Sequence, residues 1–438
     1  MTEELTLRRI FIFWVPLAAT WLMMSVEGPL LAAIIARLAD PKFNLAAHGV
    51  AFAFALLVEA PVIMLMSAST ALVKERDSFR KLRNFTRALN TLVTLVMLLV
   101  IFPPVFYWLA EDLINLPDPV ANLTHKALVV LLPWPAAIGI RRFYQGILIR
   151  HNLTRRVAYG TVIRLASMAG VALGLYFFSR FEGAVIGAAA LSAGVCMEAA
   201  ASRMMAHSTI KPWISRQSPP EALTDAPPLS YPYIARFYYP LALTSMIALG
   251  VHPIVTFFMG QSRQAIESLA VLPVIGSLVF IFRSLGLSFM EVVITFSGEN
   301  NEGYRQLRKF ALILGGSVVS ILGLIAFSPL AEVWFRSISG LSPQLTDFSR
   351  LPTQILAVIP GTTVLLSLQR GTLVNARHTA PITWATAVEF SGTVIVLAIA
   401  IKYLDFVGAV AATTAMLLGR LGANLYLMPP FLKVLGKR

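Results

Sequence analysis

Eight charged side chains within long apolar runs are the candidates for chemistry in this sequence. An ionised group at the centre of a membrane-spanning helix costs about 2.5–3.5 kcal/mol by insertion scales, so it needs a partner or a cavity. The eight residues are Glu27, Glu59, Arg141, Arg142, Arg164, Arg283, Arg370 and Glu389.

Four arginines are predicted to bind substrate. Arg141 and Arg142 interrupt one apolar run, Arg283 lies deep in another, and Arg370 lies nearer the end of a third. A guanidinium group presents paired N–H donors that fit the oxygens of a phosphate or a carboxylate. The four residues therefore favour a small anionic substrate. Structural ion pairs, or side chains that extend to the lipid headgroups, remain the alternative for each of them.

Two glutamates are predicted to bind a coupling ion. Glu27 precedes Gly28 and Pro29, and Glu59 lies two residues before Pro61. Proline interrupts the hydrogen bonds of a helix, and a membrane protein tolerates this where neighbours or a cavity satisfy the backbone. A carboxylate at such a place can exchange H⁺ or Na⁺. Glu59 has a second interpretation as the gating partner of Arg283, which occupies its place, within one residue, in an internal repeat.

The composition predicts that these residues lie inside a membrane. The chain of 438 residues is 57% hydrophobic and 13% charged, with a mean hydropathy of +0.73, whereas soluble domains carry about 25% charged residues. Runs of about 20 apolar residues can each cross the bilayer as a helix. We therefore expect an all-α integral membrane protein. The twelve predicted spans are 10–36, 45–72, 88–112, 124–149, 157–179, 184–206, 234–259, 265–296, 309–336, 350–374, 382–402 and 407–428.

The basic residues predict the orientation of the chain. The net charge is +14, but 20 of the 36 Lys and Arg residues fall in the termini and in or at the edges of the loops on the same side, against 8 in or at the edges of the opposite loops. This bias follows the positive-inside rule and places both termini in the cytoplasm. The positive charge is therefore expected to contact anionic lipid and not nucleic acid.

An internal repeat organises the spans. FWVPLAATWLMMSVEGP at 13–29 recurs as FYYPLALTSMIALGVHP at 237–253, with identical residues at six positions. Further matches lie 225 residues apart, among them Gln145-Gly146 with Arg370-Gly371 and Thr161 with Thr386. The sequence thus predicts a tandem duplication of six spans.

Each copy has an even number of spans, so both copies enter the membrane in the same direction. We predict an N-terminal six-helix lobe at 1–206, a cytoplasmic linker at 207–233 and a C-terminal six-helix lobe at 234–438. Parallel repeats related by a pseudo-twofold axis along the membrane normal are typical of secondary transporters that bind substrate between two bundles. Arg164 and Glu389 occupy equivalent positions with opposite charge. They are predicted to form a gate between the lobes, or else to be neutralised within their own lobes.

Several segments resemble the progressive ankylosis protein family. They are Phe237-x-x-Pro-Leu-Ala-Leu, His252-Pro-Ile-Val, ESLAVLPV at 267–274 and GILIRH at 146–151. That family shares a superfamily with the multidrug and toxic compound extruders and the lipid-linked sugar flippases. The resemblance implies a twelve-helix, two-lobed exporter of small polyanions such as pyrophosphate, nucleotides or citrate.

The sequence contains no phosphate-binding loop of the form G-x-x-x-x-G-K-[ST] and no Cys/His cluster with metal-ligand spacing, so we expect no ATPase, no enzyme, no cofactor and no metal site. The leading hypothesis is a monomeric exporter of a small organic or phosphorylated anion that works by alternating access. The alternatives are an H⁺- or Na⁺-driven antiporter of organic cations and a flippase of a lipid-linked precursor.

Overall fold

The computed structural model describes residues 5–73, 75–151, 153–215, 229–298, 301–376, 378 and 380–436. These residues are almost entirely helical, and the one β-bridge among them joins Arg263 to Val407. The helices are α1 Leu7–Ser25, α2 Glu27–Ile35, α3 Pro41–Glu59, α4 Leu65–Leu72, α5 Arg76–Ile101, α6 Pro103–Tyr107, α7 Asp118–Val130, α8 Trp134–Arg150, α9 Thr154–Phe178, α10 Gly183–Ser215, α11 Tyr231–Gly260, α12 Ala265–Leu287, α13 Phe289–Phe296, α14 Tyr304–Phe327, α15 Leu330–Glu332, α16 Pro343–Leu356, α17 Ile359–Asn375, α18 Ala380–Lys402 and α19 Gly408–Leu435.

Most of the predicted spans are long, apolar helical segments. Within the described ranges, ten helical segments are long and apolar enough to cross a membrane, and the pair α7–α8, bent by 41°, makes an eleventh if it counts as one span. The twelfth predicted run is helix α19, which has 28 residues. It is less apolar because it carries Arg420 and Asn424, both of which are buried. The prediction of an all-α membrane protein is confirmed.

The element boundaries repeat along the chain. Both ends of α17 lie 225 residues after the corresponding ends of α8. The two π-helical turns, Trp108–Leu113 and Val333–Ile338, are separated by the same interval. The left-handed residues that follow them, Asn115 and Gly340, are separated in the same way. The duplicated sequence therefore folds into duplicated elements.

Prolines have two different effects on the helices. Pro16, Pro240 and Pro253 lie inside helices, as expected of kinks. Pro135 and Pro360 are instead the second residues of α8 and α17. A proline there starts a helix without breaking it, because the first turn has no intrahelical partner for its N–H groups. The break between α7 and α8, which are bent by 41° relative to each other, lies just before Pro135.

The chain divides into two compact units. The first unit contains residues 1–49 and 254–438, and the second contains residues 50–253. Helices α1 and α2 thus belong with the second half of the sequence, and most of α11 belongs with the first half. The predicted lobes, 1–206 and 234–438, remain a prediction, and residues 216–228 of the predicted linker lie outside the described residues.

Aromatic residues at equivalent positions of the repeat anchor α1 and α11 through hydrogen bonds. In the first unit, Trp14 of α1 donates a hydrogen bond of 2.8 Å from its indole to the Ser288 hydroxyl, where α12 ends. In the second unit, Tyr238 of α11 donates to the Pro61 carbonyl, where α3 ends. Trp14 and Tyr238 correspond in the repeat. Each helix break thereby gains a hydrogen-bonding partner. Such a partner is needed because the membrane interior contains no water to take its place.

Candidate functional site

Five charged residues of the second unit form an N-terminal cluster, defined as Glu59, Arg141, Arg142, Arg164 and Glu198. Glu59 is the last residue of α3, the two adjacent arginines lie on α8, and Arg164 and Glu198 lie on α9 and α10. Glu59, Arg141 and Glu198 are almost fully buried. Four helices thus bring three arginines and two carboxylates together inside the bundle.

Glu198 is the centre of this cluster. Its carboxylate accepts a hydrogen bond of 2.6 Å from Arg141 and one of 3.0 Å from the Gln145 amide. The guanidinium of Arg164 lies 3.8 Å from the same carboxylate. These contacts satisfy a charge that is only 1% exposed. Such a buried ion pair is expensive to desolvate, and removing one partner leaves the other charge stranded.

Glu59 lies where α3 is interrupted. The chain continues as a short 3₁₀ turn over Ala60–Val62 before α4 begins. The Trp134 indole N–H donates a short hydrogen bond to the Glu59 carboxylate. Arg141, Arg142 and Arg164 are close enough to act on this carboxylate electrostatically. Glu59 therefore lies at a backbone break, beside an aromatic donor and among positive charges.

Among the described residues, Arg142 has no carboxylate partner, unlike Arg141. Its guanidinium contacts the Met66 sulfur at 3.7 Å, and its Nε has no hydrogen-bond partner among the described residues. A thioether is a weak acceptor, so most of the donor capacity of this guanidinium is unused. Arg141 holds Glu198, whereas Arg142 retains donors that a ligand could use.

Four charged residues of the first unit form a C-terminal cluster, defined as Arg283, Arg370, Glu389 and Arg420. Arg420 of α19 holds the Glu389 carboxylate of α18 through its Nε at 2.8 Å and its Nη2 at 2.7 Å. Arg283 and Arg370 are close enough to interact electrostatically with both members of this pair. The cluster thus contains three arginines and one carboxylate.

Two arginines of the C-terminal cluster have unused donors. Arg370 donates to the Thr386 hydroxyl at 3.2 Å. The Nε atoms of Arg370 and Arg283 are buried, and neither has a hydrogen-bond partner in the described ranges. Positive charge and free donors therefore coincide in this unit as well.

The ion pairs of the two clusters join equivalent helices with opposite signs. In the second unit, α9 carries the arginine and α10 the glutamate. In the first unit, α18 carries the glutamate, Glu389, and α19 the arginine, Arg420. The sequence revealed the inversion between Arg164 and Glu389 but did not single out Glu198 and Arg420 as their partners. The sequence did contain a sign of these pairs, because Arg164 and Glu389 occupy equivalent positions and need partners of opposite charge.

The predicted site residues thus fall into both clusters. Arg141 and Arg142 lie in the N-terminal cluster with Glu59, whereas Arg283 and Arg370 lie in the C-terminal one. Arg164 and Glu389 each have an ion-pair partner in their own unit, which is the alternative to the predicted gate. Trp134 and Gln145 were not singled out from the sequence, and both bind a cluster carboxylate.

Glu27 belongs to neither cluster. It is the first residue of α2, after the helix break at Val26, and it is buried. Close packing surrounds it, since a Cβ added to Gly28 would lie 2.8 Å from the Cβ of Ser277 in α12. Within the described residues, no group of three or more His, Cys, Asp or Glu is arranged to hold a metal ion.

Solved structures share this arrangement of helices. A multidrug-resistance MATE family transporter of the MOP superfamily, in its inward-facing conformation, matches with a TM-score of 0.72, 13% identity and coverage of 95% of each chain. The lipid II flippase MurJ, in an inward closed conformation, matches with a TM-score of 0.73 and 14% identity over 96% of this chain and 90% of MurJ.

A third match is a MOP superfamily transporter from Pyrococcus furiosus whose binding pocket is described as having reverse polarity. Its TM-score is 0.59, with 13% identity over 98% of this chain and 95% of the other. No protein-family model and no curated protein matches the sequence. At these identities the likeness concerns the fold alone. The chain therefore has the fold of MATE transporters and MurJ, and its structural neighbours are MOP superfamily transporters.

Proposed function

We propose that the protein is a secondary active transporter that exports a small organic or phosphorylated anion by alternating access. The observation that carries this proposal is the excess of arginines over carboxylates in the two clusters. The N-terminal cluster has one arginine more than carboxylates, and the C-terminal cluster has two more. Uncompensated positive charge in a membrane interior is costly. An anionic substrate would compensate it during each transport cycle.

In this proposal, some arginines of the clusters position a carboxylate and others bind the substrate. Arg141 and Arg420 hold Glu198 and Glu389, so their charges are already neutralised. Arg142, Arg283 and Arg370 retain unused donors. In this proposal the latter three bind the phosphate or carboxylate oxygens of the substrate, with bidentate geometry available to each guanidinium.

The coupling ion is assigned to Glu59 or Glu27. Glu59 is the stronger candidate, because it lies at a helix break among arginines and accepts from Trp134. Binding of H⁺ would neutralise the Glu59 carboxylate and release the arginines beside it for an anion. A gate between Arg164 and Glu389 remains part of the proposal, as does the assignment of the chain to the progressive ankylosis family.

Two other functions have specific support. The fold likeness to a multidrug transporter supports an H⁺- or Na⁺-driven antiporter of organic cations, with Glu27 or Glu59 as the cation site. The likeness to MurJ supports a flippase of a lipid-linked precursor. A transporter with this fold has a binding pocket of reverse polarity that is described as suggesting a different function, so the fold is compatible with pockets of different polarity. The charge of the transported molecule distinguishes the anion exporter from the cation antiporter.

Purified protein in liposomes provides the test. Uptake of labelled citrate, pyrophosphate and nucleotides is compared with uptake of organic cations, for the parent and for Arg142→Gln, Arg283→Gln and Arg370→Gln. We expect each substitution to reduce anion transport at least tenfold. Arg336→Gln is the matched control, because Arg336 forms an exposed pair with Glu332. Transport of cations by the parent, or unchanged anion transport in all three variants, would exclude the anion proposal.

A further inference from the structure

A groove on the second unit lies between α5, α8 and α10, and the transport proposal does not use it. Its volume is about 390 Å³. Arg83 and Arg87 of α5 and Arg203 of α10 line one end. No carboxylate occurs among the described residues that line it. This end of the groove therefore attracts an anion.

The two walls of the groove differ in polarity. On α5, Arg83, Thr86, Asn90 and Thr94 follow one another at helical intervals of three and four residues and form one face. The opposite wall, on α8, contains apolar residues such as Ile140. From Arg83 to Thr94 the helix rises about 16 Å at 1.5 Å per residue. That rise is about half of the 30 Å hydrocarbon core, which is the depth of one leaflet.

Several polar atoms of the polar wall have no partner in the part of the chain that the structure describes. They are the Arg83 Nε, the Thr86 hydroxyl and the Asn90 carbonyl oxygen. Thr86 and Asn90 are only 4% and 8% exposed. The Asn90 amide does donate to the Ala136 carbonyl at 3.3 Å. Polar atoms buried at membrane depth need a hydrogen-bonding partner, and no water is present in the hydrocarbon to supply one.

We propose that this groove binds an anionic phospholipid. The headgroup phosphate lies between the three guanidinium groups, since phosphate accepts paired N–H donors. The Thr86 hydroxyl donates to an ester carbonyl below it. One acyl chain continues along Ile140 and Ala136. The length, charge and two-sided polarity of the groove match one lipid molecule in the leaflet next to the basic first turns of α5.

Protein in detergent tests the proposal, with dioleoyl phosphatidylglycerol as the probe. Native mass spectrometry counts retained lipid, and a thermal unfolding curve records stabilisation. We expect phosphatidylglycerol to raise the Tm of the parent by several degrees and phosphatidylcholine to have little effect. The double variant Arg83→Gln with Arg87→Gln should lose this shift. Arg76→Gln with Arg80→Gln is the matched control, because both residues lie on the same helix outside the groove.

A second variant separates the lipid from a soluble anion. Ala136→Leu fills the apolar end and should weaken phosphatidylglycerol binding at least fivefold with the arginines intact. Glycerol 3-phosphate carries the same phosphate chemistry without acyl chains and should give no shift. An equal shift with glycerol 3-phosphate would overturn the lipid assignment in favour of a soluble anion. Unchanged phosphatidylglycerol binding in the double arginine variant would overturn the site itself.

A different observation supports a second inference. Lys42 and Glu267 form an ion pair of 2.5 Å although they are 225 residues apart and belong to different copies of the repeat. Lys42 lies in the first turn of α3 and Glu267 in the first turn of α12. Helices α3 and α12, which occupy equivalent places in the repeat, therefore begin side by side.

Two further contacts hold the same region of the first unit. Arg37, just after α2, donates to the carbonyls of Ser337 and Ile338 at 2.8 Å each. Gly49 lies two turns of α3 beyond Lys42. A Cβ added to Gly49 would lie 2.7 Å from the Pro273 ring of α12. In the predicted topology, the start of α3 lies on the face of the membrane opposite the N-terminus.

We infer that the Lys42–Glu267 pair closes this outer face in one state and separates in the other. This inference rests on the alternating access of the proposed function. The charges are about one-third exposed, so water can solvate each of them once they part. A pair in this position can open without stranding a buried charge, unlike Arg141 with Glu198.

Spin labels at Ala39 and Ala265 provide a test that needs no substrate. Lys42→Gln should lengthen or broaden the distance distribution between the labels, and Lys42→Glu with Glu267→Lys should restore it. The control is Arg263→Asp with Asp405→Arg, because that exposed pair contains no residue of α3. An unchanged distribution in Lys42→Gln would overturn the closure, whichever substrate the liposome assays identify. If the distribution responds but no anion is transported, only the substrate assignment is wrong.

Discussion

Glu198 and Arg420 are the residues on which the two buried clusters depend. Each binds its partner across neighbouring helices, and neither is more than 9% exposed. Their charges belong to the structure of the cluster, whereas the arginines with unused donors belong to the proposed binding site. This division tells which substitutions should affect folding and which should affect transport.

Glu198→Gln should destabilise the second unit by about 3–5 kcal/mol, because it leaves Arg141 and Arg164 without a buried counter-charge. Thermal unfolding in detergent measures this effect. Glu182→Gln is the control, since Glu182 pairs with Lys126 at the surface, where such a pair contributes at most about 1 kcal/mol. Equal effects of the two substitutions would contradict the central role of Glu198.

Charge swaps compare the observed ion pair with the predicted gate. Arg164→Glu with Glu198→Arg should recover part of the stability that each single substitution loses, because the charges still oppose each other. Arg164→Glu with Glu389→Arg should recover transport only if these two residues meet during the cycle. Unfolding curves and liposome transport are measured for both double variants. Failure of the second swap to exceed its worse single variant would remove the gate.

Glu59→Gln tests the coupling assignment. A glutamine keeps the acceptor for Trp134 but cannot bind H⁺, so transport should continue without responding to a pH gradient. The measurement is anion flux in liposomes with and without an imposed gradient. If the flux falls but the residual flux still depends on the pH gradient, Glu59 is a gating residue. The coupling residue is then Glu27.

The sequence could identify the charged residues but not their partners. Arg141, Arg142 and Arg283 stand out because apolar surroundings make them conspicuous. Trp134 and Gln145 do not, because an indole and an amide are common in membrane helices. The pairing of Arg141 with Glu198 depends on the rotation of α8 and α10, which apolar runs of low periodicity do not specify.

At the scale of helices, glycines set the crossings that hold the clusters in place. A Cβ added to Gly146 of α8 would lie 2.4 Å from the Met66 carbonyl of α4, and one added to the equivalent Gly371 would lie 2.7 Å from Val293 of α13. The identity of these two glycines was a sign of the repeat in the sequence. The structure gives the reason, which is the close approach of a neighbouring helix in each half.

Gly146→Ala should therefore destabilise the protein by about 1–3 kcal/mol through overpacking. Because Gly146 follows Gln145 and precedes the end of α8, the displaced helix should also weaken the contacts of Glu198. Thermal unfolding checks the first effect and anion transport the second. Gly170→Ala is the matched control, since nothing lies within 4 Å of its added Cβ. A similar loss in both variants would argue against a specific crossing.

Helix ends were predicted less well than helices. The predicted spans 88–112 and 309–336 correspond to α5 and α14, which end at Ile101 and Phe327. Prolines follow both ends, and short helices and π-helical turns continue the chain. Apolar residues continue through these breaks, so hydropathy alone cannot detect them. The repeat could have helped, because both copies break at equivalent places.

For the whole molecule, the orientation in the membrane remains a prediction. A reporter fused to the C-terminus should read cytoplasmic, because 20 basic residues lie on the predicted inner side against 8 outside. A second reporter in the loop between α11 and α12 should read the opposite side. Two reporters on the same side, or a C-terminus outside, would contradict the predicted topology.

The Lys42–Glu267 pair has a consequence for how the molecule can be assembled. A homodimer of two first halves would have no Glu267 to pair with Lys42, and a homodimer of two second halves would have no Lys42. The ion pairs of the clusters have also exchanged their signs between the halves. The two copies have therefore become complementary and are no longer interchangeable. Separately expressed halves should reassemble only as a heterodimer, with one fragment of each kind.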